Sequence, residues 1–115
     1  MSVTIYHNPR CSKSRQTLQL LQERGIEPKI IEYLKTPPDK TELKKILELL
    51  DLKPRDLMRR KETVYRDLGL DKDSLSDEQL IDAMVGNPVL IERPVVLANG
   101  NAVLGRPPEK VLEII

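Results

Sequence analysis

Val3-Thr4-Ile5-Tyr6-His7-Asn8-Pro9-Arg10-Cys11-Ser12-Lys13-Ser14-Arg15 is the stretch on which the reading of this chain turns. Residues 3–6 alternate apolar and polar, as a short strand does. Residues 7–10 form a turn, because Pro9 has no amide donor and disfavours helix at Asn8. From Ser12 a helix is predicted to about Arg24, with Leu18 and Leu21 facing the same way and Gly25 placed to cap its end. Residues 29–33 carry Ile30 and Ile31 and read as a second strand. A strand, a helical crossover and another strand imply parallel pairing.

Working outward, Asp39 and Glu42 resemble a capping box with Asp in place of Ser or Thr. Behind them Leu43, Ile46, Leu47 and Leu50 fall at i, i+3, i+4 and i+7, the pattern of an amphipathic helix. Lys53-Pro54 opens a turn or short helix through Leu57 and Met58. Residues 59–72 are charged, with Tyr65, Leu68 and Leu70 as expected anchors. Ser76-Asp77-Glu78-Gln79 is a cleaner capping box, starting a helix that points Leu80, Ala83 and Met84 inward and stops at Gly86-Asn87-Pro88. Val95-Val96-Leu97 and Ala102-Val103-Leu104 are strands, joined by the hairpin signal Asn99-Gly100. Arg106-Pro107-Pro108-Glu109 then opens a final helix with Val111, Leu112 and Ile115 on its apolar side. The order is β-α-β, a helical insert, then β-β-α. It resembles the thioredoxin fold: a single α/β domain over residues 1–115, with a mixed four-stranded sheet, flanking helices and a helical insertion.

Composition narrows the function. The chain has 115 residues, enough for one domain that folds without a metal or disulfides. It has no Trp or Phe and only three Tyr, so the core is aliphatic and base-stacking platforms are missing. Lys and Arg number 19 against 18 Asp and Glu, a net charge of +1, without the basic excess of a nucleic-acid-binding domain. No segment approaches the roughly 20 apolar residues of a membrane span, and residues 1–10 are too polar for a signal-peptide core. The expectation is a soluble cytoplasmic protein with no nucleic-acid or membrane partner.

There is one cysteine and one histidine, too few for a four-ligand zinc site or an internal disulfide. Cys11 is therefore either an inert small residue or a thiol that another molecule must resolve. Its place after a strand and at a helix start favours the second, because free amides and the positive helix end stabilise an anion there. His7, Arg10, Lys13 and Arg15 add cationic neighbours. Such surroundings lower a thiol pKa from about 8.5 towards roughly 3.5–7.5. The same amides and cations suit a tetrahedral oxyanion. Cys11 is expected to be a reactive thiol exposed near the surface.

Residues 7–15 resemble the H-x-x-x-C-x-x-x-R signature of glutaredoxin-linked arsenate reductases. The likeness continues through Leu57-Met58-Arg59, through Asn87-Pro88-Val89-Leu90-Ile91-Glu92-Arg93-Pro94, and through Gly105-Arg106-Pro107-Pro108-Glu109. The resemblance implies that Cys11 attacks arsenate or a similar oxyanion, that His7 favours the thiolate, and that Ser12, Ser14 and Arg15 shape the anion loop. It implies that Arg59, Arg93 and Arg106 hold the oxyanion and then the trivalent arsenic intermediate, for which a guanidinium fork is well matched. No bound cofactor or metal is implied. Glutathione is the expected co-substrate and glutaredoxin the partner that reduces the resulting mixed disulfide. The resemblance also implies a cis Arg93–Pro94 bond before the third strand.

Plainer readings stand beside these. His7 can simply hydrogen-bond the turn; Arg59 and Arg60 can be a solvated face; Arg93 and Arg106 can make structural hydrogen bonds. If residues 57–60 are helical, Arg59 and Arg60 point about 100° apart and only one can face an anion; the match favours Arg59. The chain ends at Ile115, soon after the Arg106 motif, and so resembles a shorter branch of the family. That leaves a general glutathione-dependent oxidoreductase with weak arsenate activity as one alternative. A regulator of the Spx type that binds RNA polymerase is another, although Ser14 stands where its second switch cysteine would be. Phosphatase-like reductases use C-x-x-x-x-x-R, and Thr17 occupies that arginine's place.

Overall fold

Val3–His7 forms β1, and Ile5 is fully buried in it while Thr4 is only partly covered. The computed structural model describes residues 2–115. α1 spans Ser12–Glu23 and β2 spans Lys29–Glu32; β2 lies parallel to β1 with Ile5 opposite Ile30. β3 (Val95–Ala98) and β4 (Asn101–Leu104) complete the sheet, in the order β2-β1-β3-β4. β1 pairs antiparallel with β3, and β3 with β4. This is the expected mixed sheet of four strands, and the expected strand and helix order holds around it.

The chain divides into two compact units: residues up to Thr36 with Arg93–Ile115, and Pro37–Glu92. In the first, Val3 and Ile5 of β1 face the same way as Val96 and Ala98 of β3, because directly opposed residues share a sheet face. Leu21 of α1 and Val111 close over them, with Leu18, Leu20, Ile26 and Val103 around the rim. Removing a fully buried leucine such as Leu21 from a core of this kind costs about 2–5 kcal/mol. The β3–β4 hairpin turns on Asn99 and Gly100, both left-handed at φ 54° and 75°. Two successive left-handed residues make the turn whose twist matches the strands, and Asn-Gly is the pair that tolerates it best.

In the second unit α2 (Lys40–Leu50) is capped by Asp39, whose Oδ1 accepts the Glu42 amide at 2.8 Å. α4 (Asp77–Gly86) carries the full reciprocal box of Ser76 and Gln79. Lys40 bridges to Glu78 and Asp82, and Lys44 to Glu78, so charges as well as Leu43, Ile46, Leu80 and Met84 bind the two helices. Residues Pro54–Leu57 form one 3₁₀ turn, and α3 is the five-residue Thr63–Asp67.

Several sequence expectations need correction. The closing segment Pro108–Glu113 is 3₁₀ and not α. Pro107 and Pro108 supply no amide donors, and so short a run settles into i→i+3 bonds. Leu68 is 53% exposed and anchors nothing; it caps a helix only one turn long, while Tyr65 and Leu70 take the buried side. Ala83 is only partly covered, and Ile81 is buried instead.

Candidate active site

The turn after β1 is tied to itself. Asn8 accepts the Cys11 amide through its carbonyl and the Arg10 amide through Oδ1, each at 3.0 Å. Arg15 reaches back from α1 and donates to the Pro9 carbonyl at 3.0 Å. Cys11 then sits at the N-cap of α1 with extended backbone, φ −94° and ψ 123°, and its carbonyl accepts the Arg15 amide. An N-cap side chain faces the second and third amides of its helix, here those of Lys13 and Ser14. The Cys11 side chain makes no cap hydrogen bond to either. A thiolate sulfur is larger and more diffuse, and the Ser14 and Lys13 amides at the helix start still draw the thiol pKa down.

The structure buries Cys11, leaving 8% of its surface exposed, against the expectation of an exposed thiol. Burial pushes the thiol pKa up and is the largest single influence; the Ser14 amide, the Arg93 charge, the Lys13 amide and an Arg93 hydrogen bond together outweigh it. The net direction is below the ordinary thiol value, so the site favours the thiolate while shielding it.

His7, 7% exposed, places Nδ1 2.6 Å from Ser14 Oγ, which also accepts the Asn8 amide at 3.0 Å. Burial lowers the imidazole pKa, Glu32 opposes this, Arg15 adds to it, and the balance stays below the usual value. His7 is therefore neutral at neutral pH and contributes a hydrogen bond, not a positive charge. It orders the loop through Ser14, one of the two readings its sequence left open.

Of the three arginines drawn from the sequence match, Arg93 is brought to the sulfur. The Arg93–Pro94 bond is cis as expected, and so is Arg106–Pro107, which was not foreseen. Arg106 is exposed and its Nη1 donates to the Arg93 carbonyl at 3.2 Å. Ser12 is the exposed first residue of α1. Arg59 belongs to the second unit and lies outside any helix, beside the Met58–Ile91 bridge, so the helical argument separating it from Arg60 does not apply. Burial separates them instead. The Arg59 side chain is 26% exposed and pairs with Glu62 at 2.6 Å and Glu92 at 3.9 Å; Arg60 is 54% exposed and pairs with Asp56 at 3.5 Å.

Two residues were given no role by the sequence reading. Thr17 is fully buried on the α1 stripe with Ser14 and Leu21, a helical spacing that could have flagged it. Arg55 donates to Tyr65 Oη and the Leu70 carbonyl at 2.6 Å and to the Lys72 carbonyl at 3.0 Å, holding the loop after α3; nothing in the sequence marks it. Among the described residues no cluster of His, Cys, Asp and Glu could hold a metal ion, and no helix is long and apolar enough to cross a membrane.

The model of the ArsC family matches residues 6–114. The chain is 58% identical to the uncharacterized protein YfgD of Escherichia coli strain K12, covering 98% of this chain and 96% of that one. It is 49% identical to an arsenate reductase of Neisseria meningitidis, covering 98% and 97% respectively. A solved structure titled arsenate reductase from Vibrio cholerae is 54% identical and superimposes with a TM-score of 0.98 over 100% of this chain and 98% of that one.

Proposed function

This chain belongs to the ArsC family, and on that premise we propose that it reduces arsenate to arsenite, with Cys11 as nucleophile and glutathione as co-substrate. The Cys11 thiolate attacks arsenic(V), an S–As bond forms, and an arsenate hydroxyl takes a proton from solvent and leaves as water. A glutathione thiolate then attacks the Cys11 sulfur. The new S–S bond forms as the S–As bond breaks, and the bonding pair stays on arsenic, which leaves as arsenite. Two sulfurs are oxidised by one electron each and arsenic gains two. Glutaredoxin reduces the mixed disulfide and returns the thiolate. A cycle drawing on reduced glutathione belongs in the cytoplasm.

The observation that carries the reading is the surroundings of the sulfur: two helix-start amides and the Arg93 guanidinium, on a chain whose sole cysteine has no internal partner. The same donors that hold a thiolate suit the oxygens of a tetrahedral anion. Arg106 and Arg59 are assigned to oxyanion binding from the likeness of their segments to the family's. Purified protein given arsenate, glutathione, glutaredoxin, glutathione reductase and NADPH should consume NADPH in step with arsenite release, and Cys11→Ser protein should not. Equal rates for the two proteins would end the proposal. Turnover of a general disulfide substrate with none of arsenate would favour the broader oxidoreductase.

A further inference from the structure

Thr17 is completely buried and polar, and the chemistry just described makes no use of it. Its hydroxyl donates to the Lys13 carbonyl at 2.8 Å. That carbonyl belongs to the peptide unit whose other end is the Ser14 amide, the donor that does most to favour the Cys11 thiolate. One planar peptide thus carries the Thr17 hydroxyl at its carbonyl end, while its amide end lies at the helix start that Cys11 caps. Threonines commonly bond back to the carbonyl four residues earlier, and in an exposed helix that means little. Here, although Lys13 itself is exposed, the donating hydroxyl belongs to a fully buried side chain. Its oxygen also lies 3.5 Å from the Gly105 carbonyl, and Gly105 in turn donates to the Pro94 carbonyl at 2.9 Å. The packing is tight enough that a Cβ built on Gly105 would lie 2.5 Å from Thr17 Oγ1 and 2.8 Å from Pro94 Cγ. Thr17 cannot easily leave its rotamer.

We propose that Thr17 is a positioning residue for the Cys11 thiolate, acting through the Lys13–Ser14 peptide. A hydrogen bond accepted at a carbonyl polarises its peptide and strengthens donation from the N–H at the far end, an effect that grows where water is excluded. The hydroxyl also fixes the peptide plane, so that the Ser14 amide stays aimed at the sulfur. Arg93 acts on the thiol by its own charge and hydrogen bond. The inference rests on Cys11 being the reacting thiol.

The test reads the thiol itself, by the rate of alkylation against pH, and so stands whether or not arsenate is the substrate. Two matched pairs isolate the hydroxyl: the native protein against Thr17→Val, and Thr17→Ser against Thr17→Ala. The second pair covers the case in which the valine protein does not fold. Loss of the hydroxyl should raise the midpoint by about half a unit, roughly a threefold drop in thiolate at a fixed pH below it. Thr17→Ser should stay near the native midpoint. The shift should recur in Arg93→Ala protein; its disappearance there would overturn the peptide route. Identical midpoints within a folded pair would overturn the proposal.

Discussion

His7 Nδ1 and Ser14 Oγ stand 2.6 Å apart, joining the end of β1 to the first turn of α1 across the loop that carries Cys11. The Ser14 oxygen takes the Asn8 amide as well, so one buried hydroxyl satisfies a ring nitrogen and a backbone donor. The residue whose amide faces the sulfur is therefore anchored by its own side chain.

Replacing Ser14 with Ala leaves the His7 ring and the Asn8 amide without this partner. The His7 ring is buried whereas the Asn8 amide is only part-buried and open to water, and one unsatisfied buried group costs about 1–3 kcal/mol. Urea unfolding of Ser14→Ala should show a loss in that range, and alkylation should show a higher thiol midpoint. A variant as stable as the native protein would mean that water replaces the hydroxyl at no cost.

The second prediction concerns acid. Folding holds His7 below its unfolded value of about 6.5, so the native state favours the neutral ring. The stability this contributes is fully present above pH 6.5 or so and is lost as pH falls through the lowered native value. His7→Asn, whose Oδ1 can take the place of Nδ1, should flatten the decline of stability with falling pH. Parallel slopes for the two proteins below about pH 6.5 would refute this.

The arginines should separate by role. Arg93→Ala should raise the thiol midpoint and cut arsenate turnover at least tenfold, about 1.4 kcal/mol of barrier. Arg106→Ala and Arg59→Ala should cut turnover by a similar factor and leave the thiol midpoint nearer its native value. Arg60→Ala, which removes an exposed side chain, should be nearly silent in both measurements. Arg60→Ala proving the damaging change would reverse the assignment.

Glycine positions offer a matched contrast in stability. Gly105→Ala forces a methyl against Thr17 and Pro94 and should cost about 1–3 kcal/mol, as overpacking does. Gly86 has nothing within 4 Å of an added Cβ and ends α4; Gly86→Ala should gain about 0.4–1 kcal/mol. Thermal unfolding of the two proteins should move in opposite directions.

What the sequence determined by itself was local in origin. The Asp39 and Ser76 caps, the Asn99-Gly100 turn, the break at Pro9 and the placement of Cys11 at a helix start each depend on residues within a few positions of one another. That range is the one over which backbone hydrogen bonding and left-handed dihedrals are decided. The chemical character of Cys11 was legible for the same reason, since the amides beside it lie within three residues. Tertiary structure decided the rest. It buried Cys11, brought Arg93 from 82 positions away to the sulfur (93 − 11), and pressed Gly105 against Thr17. It also left Ile30 and Leu68 exposed although their residue type suggested a core. Burial and long-range contact depend on which surfaces the folded chain brings together, and a window of neighbouring residues does not contain the other surface.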